Sequence, residues 1–307
     1  MSGTVVEGRF DLAAYLEREG AAVEAALGRA AEGFAEVADR EVVAAARHGV
    51  LSGGKRLRPI LCATAFRACG GEASDEALYD FAIGVELVHA YSLIHDDLPS
   101  MDDAELRRGQ PTTHRVHGVL AATLAGVGLI PLAAAQVLRA SSRAGISDEA
   151  ARRCASILLG ASGAGGMVGG QGLDLLGEGR ALASEALTEL HRHKTGALLT
   201  ASLEMGAVAA GATEDVLAAL TRYGRHVGLA FQIADDVLDA TATAEELGKR
   251  PSDADLDKST YVSLHGLEGA RRLARAETDA ALEALEAAGV AAPALHALAA
   301  YIVERRS

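Results

Sequence analysis

The sequence has no tryptophan, only six prolines and only three cysteines in 307 residues. With so few prolines, long stretches run without a break in helical hydrogen bonding. Those stretches are rich in Ala, Leu, Glu and Arg, so the fold reads as all-α. Cys62, Cys69 and Cys154 match neither a disulfide framework nor a zinc spacing, and they suit a reducing, cytoplasmic compartment. Acids appear early at the N-terminus and no long apolar core follows, so no signal peptide is expected. Positive charge is scarce: a net charge of −13 weighs against nucleic acid or an anionic membrane surface as partner. Internal repeats, low-complexity tails and a second domain are also missing. A chain of 307 residues that is 50% hydrophobic is long enough for one large domain with a substantial core, here residues 1–307.

Acid is concentrated instead of spread. Asp96, Asp97, Asp102, Asp103 and Glu105 fall within ten residues, directly after an apolar run and directly before Arg107 and Arg108. Carboxylates crowded near a core repel one another unless something positive neutralises them. Oxygen ligands without cysteine favour a hard ion such as Mg²⁺, which is commonly held by one or two carboxylates together with substrate phosphates. The two guanidinium groups match phosphate oxygens. Taken alone, the cluster reads equally well as a metal-diphosphate site or as a solvated acidic loop.

A second cluster, FQIADDVLD at 231–239, tips the balance. Asp235 and Asp239 stand one helical turn apart, about 6 Å along the axis, with Asp236 close to the same face. Their neighbours Phe231, Ile233, Val237 and Leu238 are apolar, so these carboxylates flank a core. Two such patches facing each other across a bundle would hold metal between them.

The motifs then give a resemblance. GGKRLRP at 53–59, HAYSLIHDDLPSMDD at 89–103, LRRGQPTTH at 106–114 and GGQGLDL at 169–175 come first; HRHKTGALL at 191–199, GLAFQIADDVLD at 228–239, LGKR at 247–250 and DKSTYVSLHGLEGAR at 257–271 follow. In this order, and spanning nearly the whole chain, they resemble the trans-isoprenyl diphosphate synthases, the head-to-tail prenyltransferases that include farnesyl and geranylgeranyl diphosphate synthases.

The resemblance implies a single large helical bundle around a central cavity and a substrate pair, isopentenyl diphosphate and an allylic diphosphate. It implies that Lys55, Arg56, Arg58 and His89 bind the first, although basic residues opening a helix are otherwise more often solvated. Lys194, Thr195 and Gln232 are assigned to the allylic diphosphate, with Arg107, Arg108, Lys249 and Lys258 also on phosphate. Mg²⁺ would be held by Asp96, Asp97, Asp102, Asp235 and Asp239, with Asp96, Asp102, Arg107, Lys194, Asp235 and Lys249 carrying the chemistry. The released diphosphate itself is implied to take the final proton, and no dedicated base is expected. Family members are typically homodimers.

Along the chain, residues 11–29 and 32–47 read as amphipathic helices, and a helix over 77–97 delivers the first aspartates. Pro99 disfavours helical geometry at Leu98, so Asp102 and Asp103 should sit on a turn folded back toward Asp96. Seven glycines between 160 and 172 suggest close helix packing beside the cavity. Residues 191–199 are expected inside one long helix, 240–257 as a lid loop, and 264–302 as two closing helices. Residues 118–135 are uncharged and apolar apart from Thr123, long enough to suggest a membrane span. Pro131 and the amphipathic flanks favour a buried central helix instead, so no span is expected.

Tyr91 lies five residues before Asp96, where its ring could floor the pocket, with Ser92 beside it. That bulky aromatic, and the Leu-Pro insertion in the first aspartate motif, resemble the bacterial farnesyl pattern and imply a fifteen-carbon product; geranylgeranyl-forming relatives more often carry a small residue there. One segment departs from the family pattern. Val116, His117, Val119 and Val127 stand where a base, an aromatic and two acids are usual, consistent with an apolar repacking of a polar network. Reduced activity, a changed substrate or a regulatory subunit stay open on that account. A class I terpene cyclase is the other alternative, but it would lack the basic site at 55–89 and the second aspartate motif.

Overall fold

Helix starts in this chain are set by side chains that take up free backbone N–H groups. Asp11 accepts from Ala14 N, Ser74 from Ala77 N and Ser147 from Ala150 N, while Thr260 and Ser263 form a reciprocal capping box. The computed structural model describes residues 10–34, 39–177, 179–241 and 259–304. In order they form α1 (Leu12–Gly33), α2 (Arg40–Leu51), α3 (Leu57–Ala68), α4 (Asp75–Asp96), a two-stranded hairpin of β1 (Leu106–Arg107) and β2 (Gln110–Pro111), α5 (Thr113–His117), α6 (Val119–Ser141), α7 (Asp148–Ser162) and α8 (Met167–Gly177). There follow α9 (Ser184–His191), a π-helical turn (Arg192–Gly196), α10 (Ala197–Ala209), α11 (Glu214–Thr241), α12 (Tyr261–Ala287) and α13 (Pro293–Glu304). The all-α expectation holds. The single helix expected over 191–199 does not: the chain passes from α9 through the π turn into α10.

The central buried helix is α4, not the apolar segment at 118–135. Fifteen residues of α4 are buried, from Ala77 to Ile94. Its apolar side chains Leu78, Phe81, Ile83, Val85, Leu87 and Val88 join one core with α1, α2, α3, α6 and α7. Burying α4 all round also buries two of its acids, and each is met by arginine. Asp80 receives Arg29 and Arg143, at 2.7 and 2.5 Å, and Glu86 receives Arg56 at 2.9 Å. Breaking one partner of such a pair is costlier than the pair is worth, because it leaves a charge in low dielectric.

Helix α6 keeps one face outward. Leu120 is 73% exposed, and Val116, Val119, Leu124, Val127 and Leu138 are exposed with it. By length and composition both α4 and α6 are apolar enough to cross a membrane, but α4 is enclosed by the bundle whereas α6 is covered on one side only. The valines at 116, 119 and 127 therefore do not fill a buried gap, correcting the repacking expected from the sequence.

A second core joins α3, α10, α11, α12 and α13 through Leu61, Leu199, Leu203, Leu220, Tyr223, Leu285 and Leu298. Here α10 lies so close to α3 that a Cβ on Gly206 would overlap the Cys62 carbonyl oxygen and come within 2.9 Å of Ala65 Cβ. Backbone cannot yield as a flexible side chain does, so Gly206→Ala is expected to destabilise by about 2 kcal/mol or more. Gly28→Ala, at a position in α1 with open space around it, is expected to stabilise by about 0.5 to 1 kcal/mol. Urea unfolding of the two variants checks both signs.

Candidate active site

Three cations gather where α3 begins. Gly53 and Gly54 have positive φ, and Arg56 caps α3 in the left-handed region at φ 50°. This tight entry places Lys55, Arg58, His89 and Arg108 on the wall of one cavity of about 770 Å³, whose other walls include Leu16, Phe231 and Tyr301. The Nε of Arg58 is buried with no hydrogen-bond partner among the described residues, and burial lowers the guanidinium's pKa. Burial, then the charges of Arg58, Arg108, Arg107 and Arg56, push His89 well below its ordinary range, so it is neutral at physiological pH. An anion placed here would relieve both groups.

Arg56 is a correction. Its guanidinium reaches Glu24 at 2.7 Å, Glu86 at 2.9 Å and the Val50 carbonyl at 3.0 Å. Those bonds hold α1, α2 and α4 together at the cavity wall and leave the group little capacity for a substrate.

The acidic cluster forms as expected. Asp102 N donates to Asp96 O at 2.9 Å and Asp103 N to Leu98 O at 3.1 Å, so the turn after Pro99 folds back on the end of α4. Asp96 lines a second cavity of about 510 Å³ with Tyr91, Ser92, Met101, Met167, Val168, Leu175, Gln171, Lys194 and Thr195. Burial raises its pKa to about 6, with Lys194 and Arg107 pulling it down and Asp102 and Asp97 pushing it up. Arg58 and His89 line both cavities, so the two sites share a wall.

Asp97 is the second correction. It is buried and gripped by Arg107, with Nε at 3.0 Å and Nη2 at 2.5 Å, and so is committed to a guanidinium instead of facing a metal. The hairpin separates the two arginines. Arg107, in β1, turns to the aspartates, while Arg108 at φ 55° turns to the first cavity, where it donates to the Gly53 carbonyl and lies over Gly54.

Lys194 and Thr195 sit in the π turn, a geometry that recurs at functional sites because it re-aims side chains within a helix. Glycine makes room for it. A Cβ on Gly170 would overlap the Lys194 backbone, and one on Gly228 would stand 2.9 Å from Gly196 Cα. Thus α8 and α11 clamp the turn from two sides, as the glycine-rich run suggested. Lys194 Nζ donates to Asp174 Oδ2 at 2.6 Å, and Thr195 Oγ1 donates to Gln232 Oε1 at 2.9 Å. Asp236, buried on α11, accepts from Tyr261 N at 2.7 Å, which ties α12 to the second aspartate motif.

The charge of Asp235 acts on the Arg58 guanidinium, and Phe231, one turn earlier on α11, lines the first cavity. Asp239 lies a turn further along α11. Among the described residues no three His, Cys, Asp or Glu side chains gather tightly enough to hold a metal unaided. The donors themselves are carboxylate oxygens, the type that a hard ion such as Mg²⁺ takes together with water and a ligand's oxygens. Lys249 and Lys258 lie outside the described residues. Sequence reasoning missed Asp174 as the partner of Lys194, and missed Phe231, Tyr301 and Leu16 as cavity walls; these come from distant helices with no local signal.

A family model described as polyprenyl synthetase matches residues 39–296. The farnesyl diphosphate synthase of Escherichia coli strain K12 is 45% identical over 269 residues, covering 86% of this chain and 89% of its own. The apo structure of an FPP/GFPP synthase from Zymomonas mobilis superposes with a TM-score of 0.82 at 34% identity, covering 94% of this chain and 99% of that one. A geranyltransferase from Helicobacter pylori, complexed with magnesium and isoprenyl diphosphate, does so with a TM-score of 0.77 at 30% identity, covering 99% and 98%. On the family match, and on a fold and relatives shared over most of its length, the chain belongs to the polyprenyl synthetase family.

Proposed function

We propose that the chain is a Mg²⁺-dependent short-chain trans-prenyltransferase that joins isopentenyl diphosphate to an allylic diphosphate, with farnesyl diphosphate as product. The observation that carries this is the shared wall: one cavity lined by cations adjoins one lined by carboxylates and apolar side chains, with Arg58 and His89 between. Two diphosphate substrates meet there with their reacting carbons adjacent, which supplies the proximity a bimolecular bond needs. A class I terpene cyclase has no use for the first cavity. The basic and acidic sets are both intact, which speaks against a purely regulatory subunit.

Lys55, Arg58, His89 and Arg108 bind the diphosphate of isopentenyl diphosphate in the first cavity. Asp96, Asp102, Asp235 and Asp239 hold magnesium with the allylic diphosphate. Bound magnesium supplies positive charge against the departing diphosphate. Lys194, Arg107, Thr195 and Gln232 orient that same diphosphate, with Lys249 and Lys258 assigned there by the motif alone. The wall formed by Met101, Met167, Val168 and Leu175 excludes water from the allylic cation. Tyr91, buried and anchored by its hydroxyl to the Ser162 carbonyl at 3.1 Å, is the floor that limits chain growth, with Ser92 beside it. The whole chain acts as one domain, in the cytoplasm.

The exposed apolar face of α6 supports a homodimer built on this helix, since an interface of about 800 Å² per partner needs such a surface. No formally charged residue lies between Arg115 and Arg139, so a second copy's identical face meets no repulsion. The valines at 119 and 127 extend this face.

Incubation with isopentenyl diphosphate, dimethylallyl diphosphate and Mg²⁺ is expected to give a fifteen-carbon product, with nothing formed in EDTA; Tyr91→Ala should lengthen it, and an unchanged length would place the floor elsewhere. Asp96→Asn is expected to lower turnover roughly a thousandfold. The same change should stabilise the fold at pH 7.5 by about 1 to 2 kcal/mol, because a carboxyl raised toward pH 6 costs stability when charged. That gain should shrink as pH falls through about 6, where the wild-type carboxyl takes up a proton, and thermal melts at several pH values check it. Light scattering is expected to give a dimer for the wild type and a monomer for the paired change Leu120→Glu with Leu124→Glu.

A further inference from the structure

Beside Tyr91 on the cavity wall lies a contact that substrate binding does not explain. His95, in the last turn of α4, lays its imidazole over Gly126 of α6. A Cβ at 126 would overlap Nε2 and Cδ2 of the ring and stand 3.0 Å from Cε1. Nε2 lies 3.1 Å from the Thr123 carbonyl oxygen. A carbonyl only accepts, so this nitrogen carries the proton. The imidazole also meets Tyr91 nearly edge-on, with centroids 5.7 Å apart and planes at 78°. Tyr91 is thereby clamped at two points, its hydroxyl on the Ser162 carbonyl of α7 and its ring on His95. Tyr91, His95 and Thr123 all line the 510 Å³ cavity.

We infer that Gly126 and His95 are specificity-determining positioning residues, the glycine setting how far the imidazole stands from α6 and the imidazole setting the Tyr91 ring that closes the cavity. The inference rests on the chain-elongation reading. A side chain at 126 has no room unless the His95 imidazole moves, and that imidazole already bears edge-on against the Tyr91 ring. The three nearest atoms to such a Cβ all belong to the His95 ring, and a side chain yields before a helix backbone does, so the imidazole gives way. A shift of about one methyl group in an apolar pocket is enough to alter discrimination between chain lengths by roughly tenfold or more. Removing the imidazole acts in the opposite sense, taking the edge support from Tyr91 and deepening the pocket.

The test uses the full-length protein with isopentenyl diphosphate, dimethylallyl diphosphate and Mg²⁺, and sizes the products. Gly126→Ala is expected to raise the ratio of ten- to fifteen-carbon product about tenfold. Gly28→Ala, in α1 away from this contact and with open space at its Cβ, reports helix propensity alone and should match the wild-type product ratio. His95→Ala is expected to shift the products toward greater length, and His95→Gln, whose amide is able to donate to the Thr123 carbonyl, to restore most of the wild-type ratio. A general loss of packing would lower turnover without moving these ratios in opposite directions. If Gly126→Ala and His95→Ala both keep the wild-type ratio, the inference is overturned; if Gly126→Ala fails to fold, an unchanged ratio in His95→Ala overturns it alone. A wild-type protein that joins no prenyl units overturns the elongation reading, and this inference with it.

Discussion

Negative charge forced together at the end of a buried helix is the constraint on which the site depends. The C-terminus of α4 already carries the negative end of a helix dipole, and the chain adds Asp96, Asp97 and, through the folded-back turn, Asp102. The fold answers part of this charge itself, since Arg107 takes Asp97. Asp96 stays buried, and burial first, then the charges of Asp102 and Asp97, hold its carboxyl above the usual carboxylate range in spite of Lys194 and Arg107. Costs of this kind concentrate at functional sites, where a ligand can offset them. The unmet demand is for positive charge that brings oxygen ligands with it, which is what a magnesium diphosphate supplies.

The cations are stored in a matching way. Lys194 rests on Asp174 and Arg107 on Asp97, so both long side chains are held near the cavity before any anion arrives. Holding them costs conformational entropy during folding instead of during binding, which is the physical content of preorganisation. Arg58 goes further, with its Nε buried and unpartnered among the described residues. The π turn and its two glycine clamps hold Lys194 and Thr195 on the cavity wall without a loop that would have to be ordered first.

Around this pair of charged surfaces the helices divide the labour. Buried ion pairs on Asp80 and Glu86 keep α4 in register with α1, α3 and the end of α6, so that its last turn is delivered rigidly. Helix α6 supports that turn from behind through Gly126, Thr123 and His95, and presents its apolar side outward. One helix thus contributes both to the cavity wall and to the surface proposed for a second copy.

Helix content, the two acidic clusters and the basic run at 53–58 were legible in the sequence because each is local: periodicity, crowding of like charge, and proline or glycine at fixed offsets act over a few residues. The turn that brings Asp102 back to Asp96 was legible for the same reason, from Pro99. What each charge does was not. Arg56 and Arg58 look equivalent in the sequence, yet one is consumed by Glu24 and Glu86 and the other is left facing the cavities; Asp96 and Asp97 divide likewise. Which helix is buried all round was also undecided by hydropathy, because α4 and α6 are both apolar enough and only packing determined that α4 is enclosed. The sequence by itself determined the chemistry available, since that depends on residue type and near neighbours. The tertiary structure alone decided which charges are spent on the fold and which remain for a ligand, because that depends on partners contributed by helices far apart in the chain.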